Sequence, residues 1–357
     1  MSQAYKPNQS PEEAVGKDRA AHMFKMSANE NPLGPSPKAM KAMKEAIPTL
    51  GRYPPKSDIS LREKLAAVHG RGLNPDNFIV GNSGCDILRL SALANLDEHS
   101  SILQCPPAFP LYHRTATQQG ALVIDVPLDN NNFSYQLEAI KAAFRPDTKA
   151  IYVCNPNNPT GTTFGQAVFD ELLEALPENA LLVYDEVYYQ FVKGIEMPDA
   201  VAAVLAGKNI LIIHSFSKSY GLAGLRAGYG IAPEPIIKTM EAKKNPFHVG
   251  ALALKAAEAA LTDTEHIKKT VDNNTKGRIF ISSSLQALGI KVWPSEANFV
   301  LFEVPEGFSA EGLTQRLQDH NLMVRPAFGL DNHLRVSVAL PEANEAFITA
   351  MKAILTS

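Results

Sequence analysis

The chain has 357 residues, of which 45% are hydrophobic and 20% charged, a composition ordinary for a globular protein of about two domains. Its formal net charge of −3 argues against nucleic acid or an anionic membrane as a partner. No apolar run reaches the roughly 18 residues that span a bilayer, and residues 1–24 lack the apolar core of a signal peptide.

Five short apolar runs predict β-strands, and each leads into a polar or Gly/Pro-rich cluster. They are residues 77–80, 101–105, 149–154, 180–184 and 209–214. Continuous apolar runs of this length are typical of parallel strands covered on both faces. Helical patterns lie between them, for example at 86–96 and 167–176. The alternation predicts an α/β domain with a mostly parallel sheet.

Past residue 250 the pattern changes to short strands between helices. "ALALKAAEAALTD" predicts a helix that continues into the residues after it, and "PEANEAFITAMKAIL" predicts the last helix. This texture indicates a smaller α+β domain. We therefore divide the chain into an N-terminal arm with part of the small domain (1–44), a large α/β domain (45–250) and a small C-terminal domain (251–357).

The three cysteines predict neither a metal site nor a disulfide framework. Cys85, Cys105 and Cys154 are widely spaced and odd in number, and the sequence has no CxxC motif or paired histidines beside them. Reduced, partly buried thiols are typical of a cytoplasmic protein. We expect that location and no bound metal.

Two of the polar clusters have the composition of an anion site. In open α/β sheets, ligands bind beyond the carboxyl ends of the strands, where these clusters lie. "GNSGCD" (81–86) follows a strand and opens a helix, so Ser83, Gly84 and Cys85 would offer backbone N–H groups, although a plain turn is the simpler alternative. Ser215, Ser217 and Arg226 suit phosphate oxygens. Because Arg226 stands among small apolar residues, we expect it to be buried or half-buried and to face an anion.

The remaining clusters add a lysine, an acid and aromatic rings. Lys218 could be a solvated loop residue, Asp185 and Asn158 could be turn residues, and Phe109 and Tyr188 could belong to the core. Together, however, a lysine, an acid at a strand end, an anion-binding helix start and a ring are the groups that pyridoxal 5′-phosphate (PLP) requires. The lysine forms a Schiff base, and the acid keeps the pyridine nitrogen protonated.

Eight motifs then occur in order along nearly the whole chain. They are "SANENPLGPSPKAM" (27–40), "RYP" (52–54), "CNPNNPTG" (154–161), "YDEVY" (184–188), "SFSKSYGLAGLRAGY" (215–229), "EANFVLF" (296–302), "VRP" (324–326) and "HLRVSVALPEANEAF" (333–347). With these motifs the chain resembles the fold-type I, class I/II aminotransferases and, among them, the histidinol-phosphate aminotransferases. The resemblance implies the PLP-dependent transferase fold of type I.

The resemblance also implies roles around the cofactor ring. Lys218 would carry the cofactor and later move a proton. Asp185 would pair with the ring nitrogen, Tyr188 and Asn158 would hydrogen-bond the 3′ oxygen, and Phe109 would stack on the ring. The family usually has tyrosine where Phe109 stands, so a hydroxyl is missing there.

The same resemblance implies a phosphate site shared between the two subunits of a homodimer. Its residues would be Gly84, Cys85, Ser215, Ser217 and Arg226, joined by Tyr53 from the other subunit. Cys85 occupies a position that is usually acidic in the family.

The partners implied by the resemblance are a small-molecule amino donor and a 2-oxo acid, with no nucleic acid and no membrane. Arg335 would take the substrate carboxylate, because its planar fork suits two oxygens. Arg325 would add a second positive charge, and Asn29 and Tyr5 would lie around the substrate.

Four functions remain open at this point. The first is transfer of an amino group from histidinol phosphate, with 2-oxoglutarate as the partner oxo acid. The alternatives are an aromatic (Phe/Tyr) aminotransferase, a PLP-dependent decarboxylase of a phosphorylated amino acid, and a PLP-sensing transcription regulator. A regulator would need a fused DNA-binding winged helix and a basic face, and the roughly 45 residues before the predicted sheet show neither.

Overall fold

The computed structural model describes residues 9–356 and contains a central seven-stranded sheet. The strands of the protein are Phe24–Lys25 (β1), Phe78–Gly81 (β2), Ser101–Gln104 (β3), Leu122–Asp125 (β4), Thr148–Cys154 (β5), Leu181–Asp185 (β6), Ile210–Ser215 (β7), Gly228–Ile231 (β8), Phe299–Glu303 (β9), Leu322–Met323 (β10), Arg325–Pro326 (β11) and His333–Ser337 (β12). The large sheet has the order β2-β8-β7-β6-β5-β3-β4, and only β8 runs antiparallel to its neighbours. The predicted α/β class with a mostly parallel sheet is confirmed.

Two strands of this sheet had no clear sequence signal. β4 is an edge strand whose residues are half-buried or exposed, so it lacks the continuous apolar run of a covered strand. β8 reads "GYGI", and glycine weakens a strand pattern. Gly228 has to be small, because a Cβ there would lie 2.4 Å from the backbone nitrogen of Gly84.

Fourteen α-helices surround the sheets in the described part of the chain. They are Pro11–Val15 (α1), Lys17–Ala20 (α2), Pro37–Ala46 (α3), Ile59–His69 (α4), Gly84–Asn95 (α5), Leu111–Thr117 (α6), Leu137–Ala143 (α7), Gln166–Ala175 (α8), Ala200–Leu205 (α9), Glu234–Glu241 (α10), Ala251–Ala260 (α11), Thr264–Ala287 (α12), Ala310–Asp319 (α13) and Pro341–Thr356 (α14). Among residues 9–356, no helix is both long and apolar enough to cross a membrane.

The single long helix predicted past residue 250 is wrong. α11 ends at Ala260, and α12 begins after Asp263, whose side chain accepts the backbone N–H of His266. A carboxylate at this N-cap satisfies a helix donor that would otherwise be unpaired, and it favours a new helix start. The chain therefore has two helices where the apolar pattern alone predicts one.

The apolar interior forms separate clusters around the two larger sheets. The large sheet is buried on both faces, and α11 contributes Ala253 and Leu254 to one of those clusters. The three-stranded sheet β11-β12-β9 packs with α12, α13 and α14 in another cluster. β1 pairs with β10, which joins the start of the described chain to the residues around the small sheet. The division into domains at 45 and 251 stays a prediction.

The loop after β7 packs tightly against the segment 27–34. Gly221 has φ +69°, in the left-handed region, and a Cβ there would lie 2.0 Å from the carbonyl oxygen of Gly34. Gly207 has a similar φ of +72°, but open space surrounds its missing side chain. The two glycines therefore share the same backbone requirement and differ in packing.

We predict that Gly221→Ala destabilises the protein more than Gly207→Ala. Alanine in the left-handed region costs about 1–2 kcal/mol at either site, and only Gly221→Ala adds a clash with backbone. Chemical unfolding of both variants would measure the two losses in the free energy of unfolding. Equal losses would contradict the close packing of the loop on Gly34.

Candidate active site

A cleft of about 370 Å³ lies between the carboxyl ends of the large sheet's strands and the small sheet. It is lined by Ala28, Asn29, Glu30, Ser83, Gly84, Cys85, Leu88, Phe109, Cys154, Asn158, Asp185, Val187, Tyr188, Ser215, Ser217, Lys218, Ala223, Gly224, Arg226, Arg325, Phe328 and Arg335. Of the residues that the sequence singled out for cofactor or substrate, all those that the structure describes are in this set except Tyr53.

Two further predicted residues, Tyr5 and Tyr53, have different outcomes. Tyr5 lies outside the described residues. Tyr53 is 82% exposed and does not line the cleft of its own chain. Its ring stacks on Phe247 with 4.8 Å between the ring centroids. The predicted contact of Tyr53 with a neighbouring subunit stays a prediction.

Lys218 enters the cleft from the loop after β7. Its Nζ donates to the carbonyl oxygen of Ala28 at 3.2 Å and lies 5.7 Å from the ring centroid of Tyr188. Burial lowers the pKa of Lys218 to about 8, and the positive charge of Arg335 adds to this effect. A larger share of the amine is therefore neutral near pH 7, and only the neutral amine is a nucleophile or a base.

Asp185 ends β6 with its carboxylate buried beneath the cleft. Its Oδ2 accepts a hydrogen bond from the Tyr112 hydroxyl at 2.7 Å, and its Oδ1 accepts one from the backbone N–H of Val187 at 3.2 Å. Burial raises the pKa of Asp185 to about 6, while the Tyr112 hydrogen bond opposes that rise. A cationic nitrogen beside this carboxylate would stabilise its charged form.

The helix start that was predicted to bind an anion lies at one end of the cleft. Gly84 and Cys85 open α5, and Arg226 reaches over them to donate to the Ser83 hydroxyl at 2.7 Å. Burial raises the pKa of the Cys85 thiol, so this side chain places no negative charge beside the helix N-terminus. The donors and the helix dipole together favour an anion here.

The expectation that Arg226 is buried is wrong. The residue is exposed in the chain, and its Nη1 donates to the carbonyl oxygen of Ala223 at 2.9 Å. The small residues around Arg226 instead allow close backbone packing: Arg226 has φ +53°, and a Cβ at Gly228 would lie 2.4 Å from the backbone nitrogen of Gly84 at the helix start. The guanidinium nevertheless lines the cleft.

Ser215 and Ser217 extend the same end of the cleft. Both residues are buried, and the backbone N–H of Ser217 donates to the Ser215 hydroxyl at 3.1 Å. The structure therefore brings together the five residues that one chain was predicted to contribute to the phosphate site. The sixth, Tyr53, was predicted to come from the other subunit. Ser83, which the sequence also predicted to offer a backbone N–H at the helix start, lines the cleft with those five.

On the opposite wall, Arg335 with Asn158 and Asn29 with Tyr188 form two buried hydrogen-bonded pairs. Arg335 donates to Asn158 Oδ1 and, at 2.9 Å, to the carbonyl oxygen of Ser27. Asn29 Nδ2 donates to the Tyr188 hydroxyl at 3.0 Å. The two groups that were predicted to hold the 3′ oxygen of the cofactor are thus already oriented by residues that were predicted to hold the substrate.

Two arginines approach the cleft from neighbouring strands of the small sheet. Arg325 and Arg335 are paired residues in the antiparallel register of β11 and β12, so their side chains share a face. Phe328 lies beside both, with its ring centroid 5.9 Å from the Arg325 Cζ and 5.8 Å from the Arg335 Cζ. Its ring is also 6.4 Å from that of Phe109.

Three lining or supporting residues had no usable sequence signal. Tyr112 contacts Asp185 from α6, Phe328 lies in a turn, and Glu30 is one of several polar residues in "SANEN". Glu30 Oε1 accepts a hydrogen bond from Lys25 Nζ at 2.9 Å. Their roles depend on distant parts of the chain meeting in space.

The donor set fits PLP. The cleft contains a lysine, Lys218, whose amine has a lowered pKa, and a buried carboxylate, Asp185, suited to a cationic ring nitrogen. It also contains a helix start with an arginine, which suits a phosphate. It also offers an aromatic side chain, Phe109, that can cover a ring. Within residues 9–356, no group of three or more His, Cys, Asp or Glu side chains has the arrangement of a metal site.

Comparisons with known proteins agree with this reading. The family described as aminotransferase class I and II matches residues 21–350. The chain is 39% identical to a histidinol-phosphate aminotransferase of Moorella thermoacetica over 98% of this chain and 90% of the relative. It is 35% identical to histidinol-phosphate aminotransferase 2 of Carboxydothermus hydrogenoformans over 98% of this chain and 96% of the relative.

A solved structure shares the whole architecture. The histidinol-phosphate aminotransferase of Clostridium acetobutylicum superposes with a TM-score of 0.85 at 27% identity, covering 94% of this chain and 99% of the other. The motifs, the cleft and these matches lead to one conclusion. The chain belongs to the class I and II aminotransferases, and it is a PLP-dependent aminotransferase of fold type I.

Proposed function

We propose that this aminotransferase takes its amino group from histidinol phosphate and uses 2-oxoglutarate as the partner oxo acid. The observation that carries the proposal is the pair of arginines, Arg325 and Arg335, on adjacent strands of one cleft wall. Two guanidinium groups suit a dianionic phosphate in one half-reaction and a dicarboxylate in the other. The names of the relatives in Moorella and Carboxydothermus support the same donor.

The proposed roles at the cofactor follow from the geometry of the cleft. The helix start at Gly84 and Cys85, with Ser215, Ser217 and Arg226, would hold the phosphate. Asp185 would hold a proton on the ring nitrogen, Asn158 and Tyr188 would orient the 3′ oxygen, and Phe109 would cover the ring. When bound, PLP supplies an aldehyde carbon that accepts the amino group and a ring that withdraws electrons.

Lys218 is proposed to be both the attachment point and the base. Its pKa of about 8 means that about a tenth of the free amine is neutral at pH 7, against well under a thousandth for an ordinary lysine. Once released by the substrate, the same amine would take the proton from the donor's Cα. The carbonyl of Ala28 and the ring of Tyr188 keep it within the cleft.

At the substrate end, Arg335 would bind a carboxylate or phosphate in both half-reactions. Its contacts with Asn158 and Ser27 hold the guanidinium in place before a substrate arrives, which lowers the cost of ordering it. Arg325 would contact the second carboxylate of 2-oxoglutarate in one half-reaction and the same phosphate of histidinol phosphate in the other. Asn29 would line the substrate space through its contact with Tyr188, and Tyr5 keeps its predicted place near the substrate.

We propose a homodimer in which Tyr53 reaches the phosphate site of the other chain. Several large apolar side chains are exposed in the segment 33–59, and Phe247 is exposed beside them in contact with Tyr53. They are Leu33, Met40, Ile47, Leu50, Tyr53, Ile59 and Phe247. A second copy of the chain would cover them. The proposal includes no nucleic-acid or membrane partner, in keeping with the net charge of −3, and it keeps the cytoplasmic location expected from the cysteines.

The rate of PLP loading should depend on the charge of Lys218. Because only the neutral amine attacks the aldehyde, the rate at which the apo-protein gains visible absorbance should rise with pH through about 8 and then level off. Arg335→Ala removes a positive neighbour, so its midpoint should lie at higher pH. Lys218→Ala should gain no protein-bound visible band. A midpoint near that of free lysine would contradict the shifted amine.

Substrate choice should depend on Arg325. Loss of a charge-assisted hydrogen bond costs on the order of 1.5–3 kcal/mol, or about ten- to a hundredfold in binding. Arg325→Ala should raise KM for histidinol phosphate and 2-oxoglutarate by that factor and change KM for phenylalanine little, whereas Arg335→Ala should affect all three. Arg145→Ala, which removes an exposed arginine paired with Asp147, is the matched control. Equal effects on phenylalanine would favour an aromatic donor.

The homodimer can be tested by light scattering at low micromolar concentration. We expect the mass of two chains for the protein. Leu50→Glu should shift the mass toward one chain and lower activity, because it places a charge in the exposed apolar set. Leu122→Glu makes the same change on the edge strand β4 and should leave the dimer intact. A fully active single chain would contradict the shared site.

A further inference from the structure

Four side chains behind the cleft form a continuous line of hydrogen bonds. Glu186 Oε2 lies 2.9 Å from His214 Nε2, and His214 Nδ1 lies 2.9 Å from the Tyr229 hydroxyl. That hydroxyl lies 3.0 Å from His69 Nε2. Glu186 and His214 are buried, and His69 at the other end is half-buried. We call these four residues the back-face chain.

The back-face chain lies directly behind the cofactor residues. Glu186 follows Asp185 at the end of β6, and His214 precedes Ser215 at the end of β7. Because side chains alternate across a strand, the cleft receives Asp185 and Ser215 while the opposite face of the sheet receives their neighbours. Two carboxyl groups adjacent in sequence are therefore buried on opposite sides of one strand end.

The back-face chain has two arrangements in which every contact has a donor. In the first, the Glu186 carboxyl O–H donates to His214 Nε2, His214 Nδ1–H donates to Tyr229, and the Tyr229 hydroxyl donates to His69 Nε2. In the second, each donation runs the opposite way, and Glu186 is a carboxylate. With His69 neutral in both, the arrangements differ by one proton, which enters or leaves at the other ring nitrogen of His69, Nδ1, while each contact in the line shifts its own proton by one step.

Burial favours the arrangement without charge. An unpaired carboxylate costs more in a dry site than a neutral acid does, so burial raises the pKa of Glu186 to about 8. Burial also lowers the pKa of His214 and of His69 to about 3. The uncharged ring of Tyr189 stacks on His214, with 4.3 Å between the ring centroids, and covers one face of the imidazole.

The charged and titratable groups that face the back-face chain are compatible with the uncharged arrangement. The negative charge of Asp199 raises the pKa of Glu186, although Arg71 pairs with that aspartate. The hydroxyls of Tyr189 and Tyr220 lie near Tyr229 and are un-ionised, because burial raises their pKa values. Glu186 also faces Tyr184, which is buried and un-ionised, and Asp185, and a negative Glu186 would raise the pKa of both.

We propose that the back-face chain takes up a proton at His69 and holds it on Glu186, so that Asp185 alone carries negative charge behind the cofactor ring. The transfer moves one proton along existing hydrogen bonds and changes no oxidation state. Glu186 and His214 are positioning residues, since they act on the cofactor only through Asp185. The inference rests on the proposed pairing of Asp185 with the ring nitrogen.

Infrared difference spectroscopy tests the proton on Glu186 without requiring the cofactor. The apo-protein at pH 7 should show the C=O band of a protonated carboxylic acid that is absent from Glu186→Gln. His214→Gln should move that band to higher wavenumber, because an amide oxygen is a weaker acceptor for the Glu186 O–H than an imidazole nitrogen is. His266→Gln, which replaces another buried histidine whose ring nitrogen contacts the carbonyl oxygen of Gly34, should leave it unchanged. Absence of the band from the wild-type protein would overturn the proposal.

A spectroscopic pH titration of the PLP-loaded protein tests the effect on Asp185. Glu186→Gln, a neutral mimic of the protonated acid, should keep the midpoint of the visible band within about 0.3 pH unit of wild type. His214→Gln should also keep the midpoint within that range, because a protonated Glu186 needs no base beside it. A midpoint that falls in Glu186→Gln would mean that wild-type Glu186 carries a negative charge, and it would overturn the proposal. A protein that fails to load PLP would refute the proposed function while leaving the infrared result to stand.

Discussion

The cleft depends on hydrogen bonds that two buried cationic side chains donate to the backbone of one short segment. Lys218 and Arg335 both donate to carbonyl oxygens of consecutive residues, Ala28 and Ser27. The cost of burying an unpaired ammonium or guanidinium is large, and oriented carbonyl dipoles reduce it without adding a fixed negative charge. A carboxylate in that place would pair permanently with the lysine and raise its pKa. Carbonyl oxygens leave the amine neutralisable and the arginine available to an anionic substrate.

The same segment joins the parts of the molecule that the cleft requires. Asn29 has φ +55° and hydrogen-bonds both Tyr188, in the turn after β6, and Ser337 of β12. Asn31 donates to the carbonyl oxygen of Ser219, next to Lys218, and to Thr270 on α12. Gly34 packs against Gly221 at the end of the lysine loop. Substrate-binding and cofactor-binding residues are thus held by one stretch of backbone.

Groups on both faces of the sheet determine the charge around the proposed cofactor site. In the cleft, Arg226, Arg335 and Lys218 supply positive charge and Asp185 supplies negative charge. The Cys85 thiol is uncharged beside the helix start, and the proton proposed on Glu186 would remove a second negative charge behind Asp185. Low dielectric strengthens each of these interactions, so a single misplaced charge would shift several pKa values together.

The sequence by itself determined the fold class, the family and most of the lining of the cleft. Parallel strands place their carboxyl ends at one edge, so polar clusters after "ALLVY" and "NILIIH" had to meet there, and Asp185 and Lys218 could be found from pattern and motif alone. The tertiary structure decided what depends on distant residues: the exposure of Arg226, the contact of Tyr112 with Asp185, the position of Phe328 between two arginines, and the pairing of Glu186 with His214. Local patterns encode which face or end of an element a residue occupies. They do not encode the solvent access, hydrogen-bond partners and electric field of a side chain, because those arise only when separate elements pack together.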